Sequence, residues 1–145
     1  AVVVTNNDGA YAAALDLHAG GVEIAAIVDL RADPQGEAVA AARQADTVVV
    51  SLFHPRTVYV DHGPLRPDDA ELVRALIATK PGRTVVMSYG NPYLAGDVRG
   101  AAAFVVGYGE GGFYGNQVVY GDAFARLLRG EIDAAGTLPV TLPDN

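Results

Sequence analysis

The stretch TVVVSLF, Thr47–Phe53, decides how this chain is read. A strand with one solvated face alternates apolar and polar residues, and this one is almost continuously apolar. Both of its faces must therefore be covered, which is the situation of a strand inside a parallel sheet flanked by helices. A strand of that kind needs parallel neighbours, each reached through a crossover, so the rest of the chain must alternate between strands and helices.

It does so in both directions. Towards the amino end, AVVVT (residues 1–5) is a β-branched run, followed by AYAAALDLHA (10–19), a helix with Tyr11, Leu15 and Leu17 to bury. Asp8 is the expected N-cap of that helix and Gly20-Gly21 its stop. VEIAAIV (22–28) reads as a second strand and QGEAVAAARQA (35–45) as a second helix. Towards the carboxyl end, a long loop covers residues 54–66, and loops of this length inside compact domains are more often functional than decorative. Pro67 then opens a helix with Asp68, Asp69 and Glu71 in its first turns and Leu72, Val73, Leu76 and Ile77 on one face. Residues 83–88 give strand four, a loop with one helical turn follows, and residues 101–106 give strand five. After the glycine-rich GYGEGGFYGNQ (107–117), a helix over 118–129 places Val119, Phe124, Leu127 and Leu128 for burial. The closing IDAAGTLPVTLP (132–143), with Pro139 and Pro143, has the habit of an edge strand or a covering arm.

The expected fold is thus α/β: a single domain over residues 1–145, doubly wound, three-layered, flavodoxin-like or Rossmann-like. Five parallel strands in the order 2-1-3-4-5 are expected, with a C-terminal edge strand as an addition. Ligands of such sheets bind at the carboxyl ends of the strands, near the point where the strand order reverses. That selects Asn6–Gly9, Asp29–Asp33, the loop after Phe53, SYGNPY (88–93) and GYGEGG (107–112) as the rim to inspect.

Composition agrees and excludes several functions. The 145 residues are 50% hydrophobic and 19% charged, enough for a core without staples. There is no cysteine, so disulfides, thiolate metal sites and cysteine nucleophiles are out. The formal charge of −7, spread without blocks, opposes nucleic acid and anionic lipid. No apolar run approaches the ~20 residues of a membrane span. No basic-plus-apolar leader opens the chain, and a first residue already inside a strand pattern reads as a trimmed or excised piece. A water-soluble, cytoplasmic setting on expression is the expectation.

At the rim, TNNDGAY stands where a dinucleotide-binding domain places its phosphate loop, and Asp29 where such a domain holds a ribose hydroxyl. Asn6, Asn7, Asp8 and Asp29 are therefore the candidate nucleotide-binding residues, although a single Gly9 replaces the usual three glycines. The plainer reading is an Asx turn capping the first helix. His54, Asp61 and His62 share one loop, but zinc needs three or four converging ligands, and no metal is expected there. Ser51 and Ser88 lie outside any G-x-S-x-G elbow, which disfavours a serine triad. Glu110 with Asp97 or Asp61 could form a carboxylate pair for glycoside chemistry, or could simply be solvated. GYGEGG lacks the Lys-Ser/Thr tail of a P-loop, and the tyrosines around it suit either sugar stacking or packing. His18 reads as a helix-surface residue.

Two resemblances follow from these pieces. ADTVVVSLF, ELVRALIATKPGRTVVMSYGNPYL, AAAFVVGYG and FARLLRGEIDAAGTLPVTLP, together residues ~46–145, resemble the C-terminal α/β sandwich domain of family 3 glycoside hydrolases, the β-N-acetylhexosaminidase and β-glucosidase group. That resemblance implies a catalytic nucleophile in a preceding TIM barrel, with the acid/base also there in the hexosaminidase branch, and a sandwich that lends loops to the substrate. No barrel is contained in these 145 residues. Residues ~1–45, through VVVTNND, AY and VDLRADPQGE, are similar to the Rossmann nucleotide-binding segment of the sarcosine oxidase α subunit.

Together these imply a chimera joined near residue 46: an α/β scaffold domain without catalytic residues or cofactor of its own. Two alternatives stay open. One is an accessory carbohydrate-binding domain using Ser88, Asn91, Tyr93 and Glu110. The other is residual NAD or FAD binding at the first βα turn. The partner expected is a small sugar or a nucleotide, with neither nucleic acid nor membrane.

Overall fold

The computed structural model describes residues 1–5, 8–30, 36–53, 65–107 and 119–142. Strands β1 (Val2–Thr5), β2 (Ala26–Asp29), β3 (Val48–Phe53), β4 (Thr84–Tyr89) and β5 (Ala103–Gly107) form one sheet in the order β2-β1-β3-β4-β5. Every pairing is parallel. The order reverses between β1 and β3, the predicted switch point. Helices α1 (Asp8–Ala19), α2 (Glu37–Gln44), α3 (Pro67–Thr79) and α4 (Val119–Leu128) are the crossovers and covers.

The near-continuous apolar strands are explained by two cores, one on each face. Val2, Val4, Val48, Val50, Leu52 and Val86 face a core completed by Ala38 and Ala42 of α2 and Val73, Leu76 and Ile77 of α3. Val3, Val49 and Met87, the alternating neighbours, face a second core with Ala14 and Leu17 of α1 and Phe124 and Ala125 of α4. Val48, Val49 and Val50 are each fully buried. At about 1.5–3 kcal/mol for each large aliphatic side chain removed from water, this double burial is the main force holding β3 at the centre.

Helix boundaries follow local chemistry. Pro67 stands in the first turn of α3, where its missing N–H costs nothing, and Asp68 and Asp69 favour the positive helix start. At the far end, Thr84 of β4 donates its hydroxyl to the carbonyls of Lys80 at 3.1 Å and Leu76 at 3.4 Å, closing α3 from outside. α4 ends in a Schellman arrangement: Glu131 N–H reaches Arg126 O, Gly130 N–H reaches Leu127 O, and Gly130 adopts φ 71°.

Four details differ from the sequence expectation. Asp8 lies within α1 and does not precede it. β2 starts at Ala26, because Val22 N–H is used by Leu17 O in leaving α1 and Ala25 N–H by Ala1 O. Leu15 is 49% exposed while Leu17 is buried; two positions apart on a helix, they cannot share a face. Residues 132–142 form no strand, so among the described residues the sheet has five strands and the expected C-terminal edge strand is not one of them.

Candidate functional site

The carboxyl rim is built in two halves, because alternation sends odd-numbered strand residues to the α1/α4 face and even-numbered ones to the α2/α3 face. On the α1/α4 side a polar row crosses the switch point. Asp29, Thr5 and Ser51 stand side by side in register, and Thr5 and Ser51 are fully buried. Thr5 donates its hydroxyl to Val28 O at a long 3.4 Å. Ser51 Oγ donates to the Tyr89 hydroxyl at the same distance.

Tyr89 turns inward from the end of β4. Its ring lies 5.2 Å from that of Phe124 of α4, tilted by 57°, a favourable aromatic geometry. Burial pushes the phenol up to about 12; the Ser51 hydrogen bond opposes that shift and the charge of Asp16 adds to it. Asp16 belongs to α1 and sits against Gly121 in the first turn of α4, where only the absence of a side chain lets the helices approach. Gly20 does the same beside Ala125, whose Cβ lies 2.5 Å from where a Cβ on Gly20 would be. Nothing in the sequence marks this polar row as a unit, because Thr5 ends a β-branched run and Ser51 sits inside an apolar one.

The other half is the turn after β4. Gly90, at φ 104°, reverses the chain in a conformation that residues with a side chain rarely adopt. Ser88 is fully buried and donates its hydroxyl to the main-chain carbonyl of Asn91 at 2.8 Å. Asn91 is 5% exposed; its Oδ1 accepts the Tyr93 N–H at 2.9 Å, capping a 3-10 helix over Pro92–Gly96. With Oδ1 thus assigned, Nδ2 is the free end of the amide, and it is buried without a partner. Pro92 and Leu94 are buried, whereas the Tyr93 ring is 45% exposed. Asp97 closes the motif by accepting the Leu65 N–H at 2.9 Å, pinning the chain where it enters α3.

The structure therefore brings Ser88, Asn91 and Tyr93 together in one turn. Ser88 and Asn91 hold its backbone, and Tyr93 presents a face to solvent. Glu110 lies outside the described residues, as do Asn6, Asn7, His54, Asp61 and His62. Asp8 opens α1 and Asp29 ends β2, so both stand at the rim near the switch point. Among the described residues no three His, Asp or Glu side chains cluster as metal ligands, and no helix is long and apolar enough to cross a membrane.

This architecture is similar to the solved flavodoxin-like domain of a protein from Synechococcus sp., with a TM-score of 0.57, 17% identity and coverage of 90% of this chain and 94% of that one. At that identity the likeness establishes the fold. No curated protein sequence matches the chain. The family model of the glycosyl hydrolase family 3 C-terminal domain matches residues 2–145, and so takes in the first 45 residues along with the rest. The chain belongs to the glycosyl hydrolase family 3 C-terminal domain family.

Proposed function

We propose that this chain is an accessory α/β domain of a family 3 glycoside hydrolase, without hydrolytic activity of its own, that offers its carboxyl rim to carbohydrate. The observation that carries the reading is the family match over residues 2–145. The geometry adds a rim in which Tyr93 offers an exposed ring on a turn braced by Ser88, Asn91 and Asp97. An aromatic face beside polar groups is a surface chemistry that suits sugar rings, and a braced turn holds such a face at low entropic cost.

A junction near residue 46 with a sarcosine oxidase segment is a further origin the first 45 residues could have. The single family match across them favours one parent. Binding of NAD or FAD at Asn6, Asn7, Asp8 and Asp29 is the second reading, supported by the position of Asp29 beside Thr5 at the switch point and weakened by the missing glycine fingerprint.

The test uses the 145-residue chain itself. Aryl glycosides of glucose and N-acetylglucosamine should be hydrolysed no faster than in buffer; turnover abolished by changes at Asp97 and Glu110 would end the accessory reading. Titration with N-acetylglucosamine, followed by amide NMR, should move signals around residues 88–97. Shifts confined to other regions would remove the carbohydrate assignment. Millimolar NAD or FAD should leave the melting temperature unchanged, since any ligand of the native state must raise it by mass action.

A further inference from the structure

We propose that the open edge of β5 is an interface that accepts the C-terminal arm, Thr137–Leu142, of a second copy of this chain, each copy giving one arm and receiving one.

The sheet has two edges of different character. β2 is short, ends in the charged Asp29 and is preceded by Glu23, the usual protection of an edge against foreign strands. Among the described residues β5 pairs only with β4, and residues 100–107, GAAAFVVG, contain neither a charge nor a proline. Ala102 and Ala103 are exposed, and Phe104, Val105 and Val106 are half-buried. An apolar edge without guards is a template for an added strand.

The same chain holds a segment suited to fill it. Leu138, Val140 and Leu142 alternate with Thr137, Pro139 and Thr141, the period of a strand. Residues 133–139 are all exposed, Leu138 at 45%, and residues 132–142 make no hydrogen bond to any described residue. Placed on β5, the arm would turn the N–H and C=O groups of Leu138, Val140 and Leu142 towards that strand. Pro139, which has no N–H, would then face outward, the one position an edge strand allows it.

Charge permits the pairing despite the net −7, because residues 134–142 and 100–107 carry no charge at all. The Schellman end of α4 fixes where the arm begins, yet in the single molecule the tethered arm makes no pairing with the outer edge of β5 among the described residues. That leaves the edge open to the arm of another copy.

Light scattering after size exclusion and amide hydrogen exchange on the full chain test this. The chain should run at twice its own mass, with amides of Leu138, Val140 and Leu142 protected at least tenfold over those of Ala134 and Ala135. Truncation after Gly136 should halve the mass while leaving the circular dichroism of the sheet and helices intact. Ala103→Lys in the full-length chain should halve it too and abolish the arm protection, which keeps the test decisive if the truncated form fails to fold. A monomer at every concentration, a dimer that survives the truncation, or a protected arm within a monomer would each overturn the proposal.

Discussion

The hydroxyl of Ser88 is spent on the main-chain carbonyl of Asn91, 2.8 Å away, so the most ligand-like residue of the β4 turn is a brace for its neighbour. Replacing Ser88 with Ala removes that bond and leaves a buried carbonyl short of a donor, at a cost of about 1–3 kcal/mol. The urea midpoint should fall accordingly. An unchanged midpoint would mean that the turn is held by Gly90 and Pro92 alone.

Tyr89 gives the chain an alkaline limit. Its phenol, ordinarily at 10.0, is raised in the folded protein to about 12, mainly by burial. The native state therefore holds this proton more tightly than the unfolded chain does. The associated stability is complete below pH ~10 and is lost as pH climbs through ~12, a change of roughly 2–3 kcal/mol at full extent. Chemical denaturation between pH 9 and 12 should show this decline in the wild type and a flatter profile in Tyr89→Phe. Parallel profiles for the two proteins would count against the assignment to Tyr89.

How much of this could be read from the sequence depends on which signal each residue carried. The unbroken apolar run at Val48–Val50 signals burial on both faces, so the helix–sheet–helix layering followed from local pattern, whereas the strand order and its switch point rest on the choice among doubly wound topologies. Leu15 misled because helical alanines such as those of α1 dilute the periodicity that would have told it apart from Leu17. The roles of Ser88 and Asn91 were hidden for a different reason. Whether a polar side chain faces a ligand or its own backbone depends on the turn geometry, here set by Gly90 at φ 104°, and residue type alone does not give that. Tyr89 is the same problem in reverse, since its place in a polar cluster concealed a ring that packs on Phe124.

The seam between α1 and α4 makes a prediction through the smallest residue. A Cβ at Gly121 would collide with the Cβ of Asp16, so Gly121→Ala should destabilise the protein by about 1–3 kcal/mol despite its better helix propensity. Asp16→Gly should recover part of that loss in the double variant, because the two sites share one contact. Gly136, with open space around it, provides the control: Gly136→Ala should be close to neutral. Thermal melts of the wild type, the two single variants at residues 16 and 121, their double variant and Gly136→Ala decide the point, and additive effects at residues 16 and 121 would refute the steric account.

Asp97 tests what holds the turn after β4 to the start of α3. Its Oδ2 accepts the Leu65 N–H at 2.9 Å, and Leu65 itself is buried in the core under α2 and α3. The bond thus ties the entry of α3 to the end of the 3-10 helix that displays Tyr93. A hydrogen bond to a carboxylate contributes about 1.5–3 kcal/mol, so Asp97→Ala should lower stability by that order, while Asp97→Asn, which keeps an acceptor oxygen, should lose less. The local consequence is more telling than the global one. In Asp97→Ala the amide of Leu65 should exchange with solvent at least tenfold faster relative to Val73 in the same molecule, and in Asp97→Asn it should stay slow. Equal exchange in both variants would show that core burial of Leu65 alone orders this junction, and that Tyr93 owes its position to the Asn91 cap.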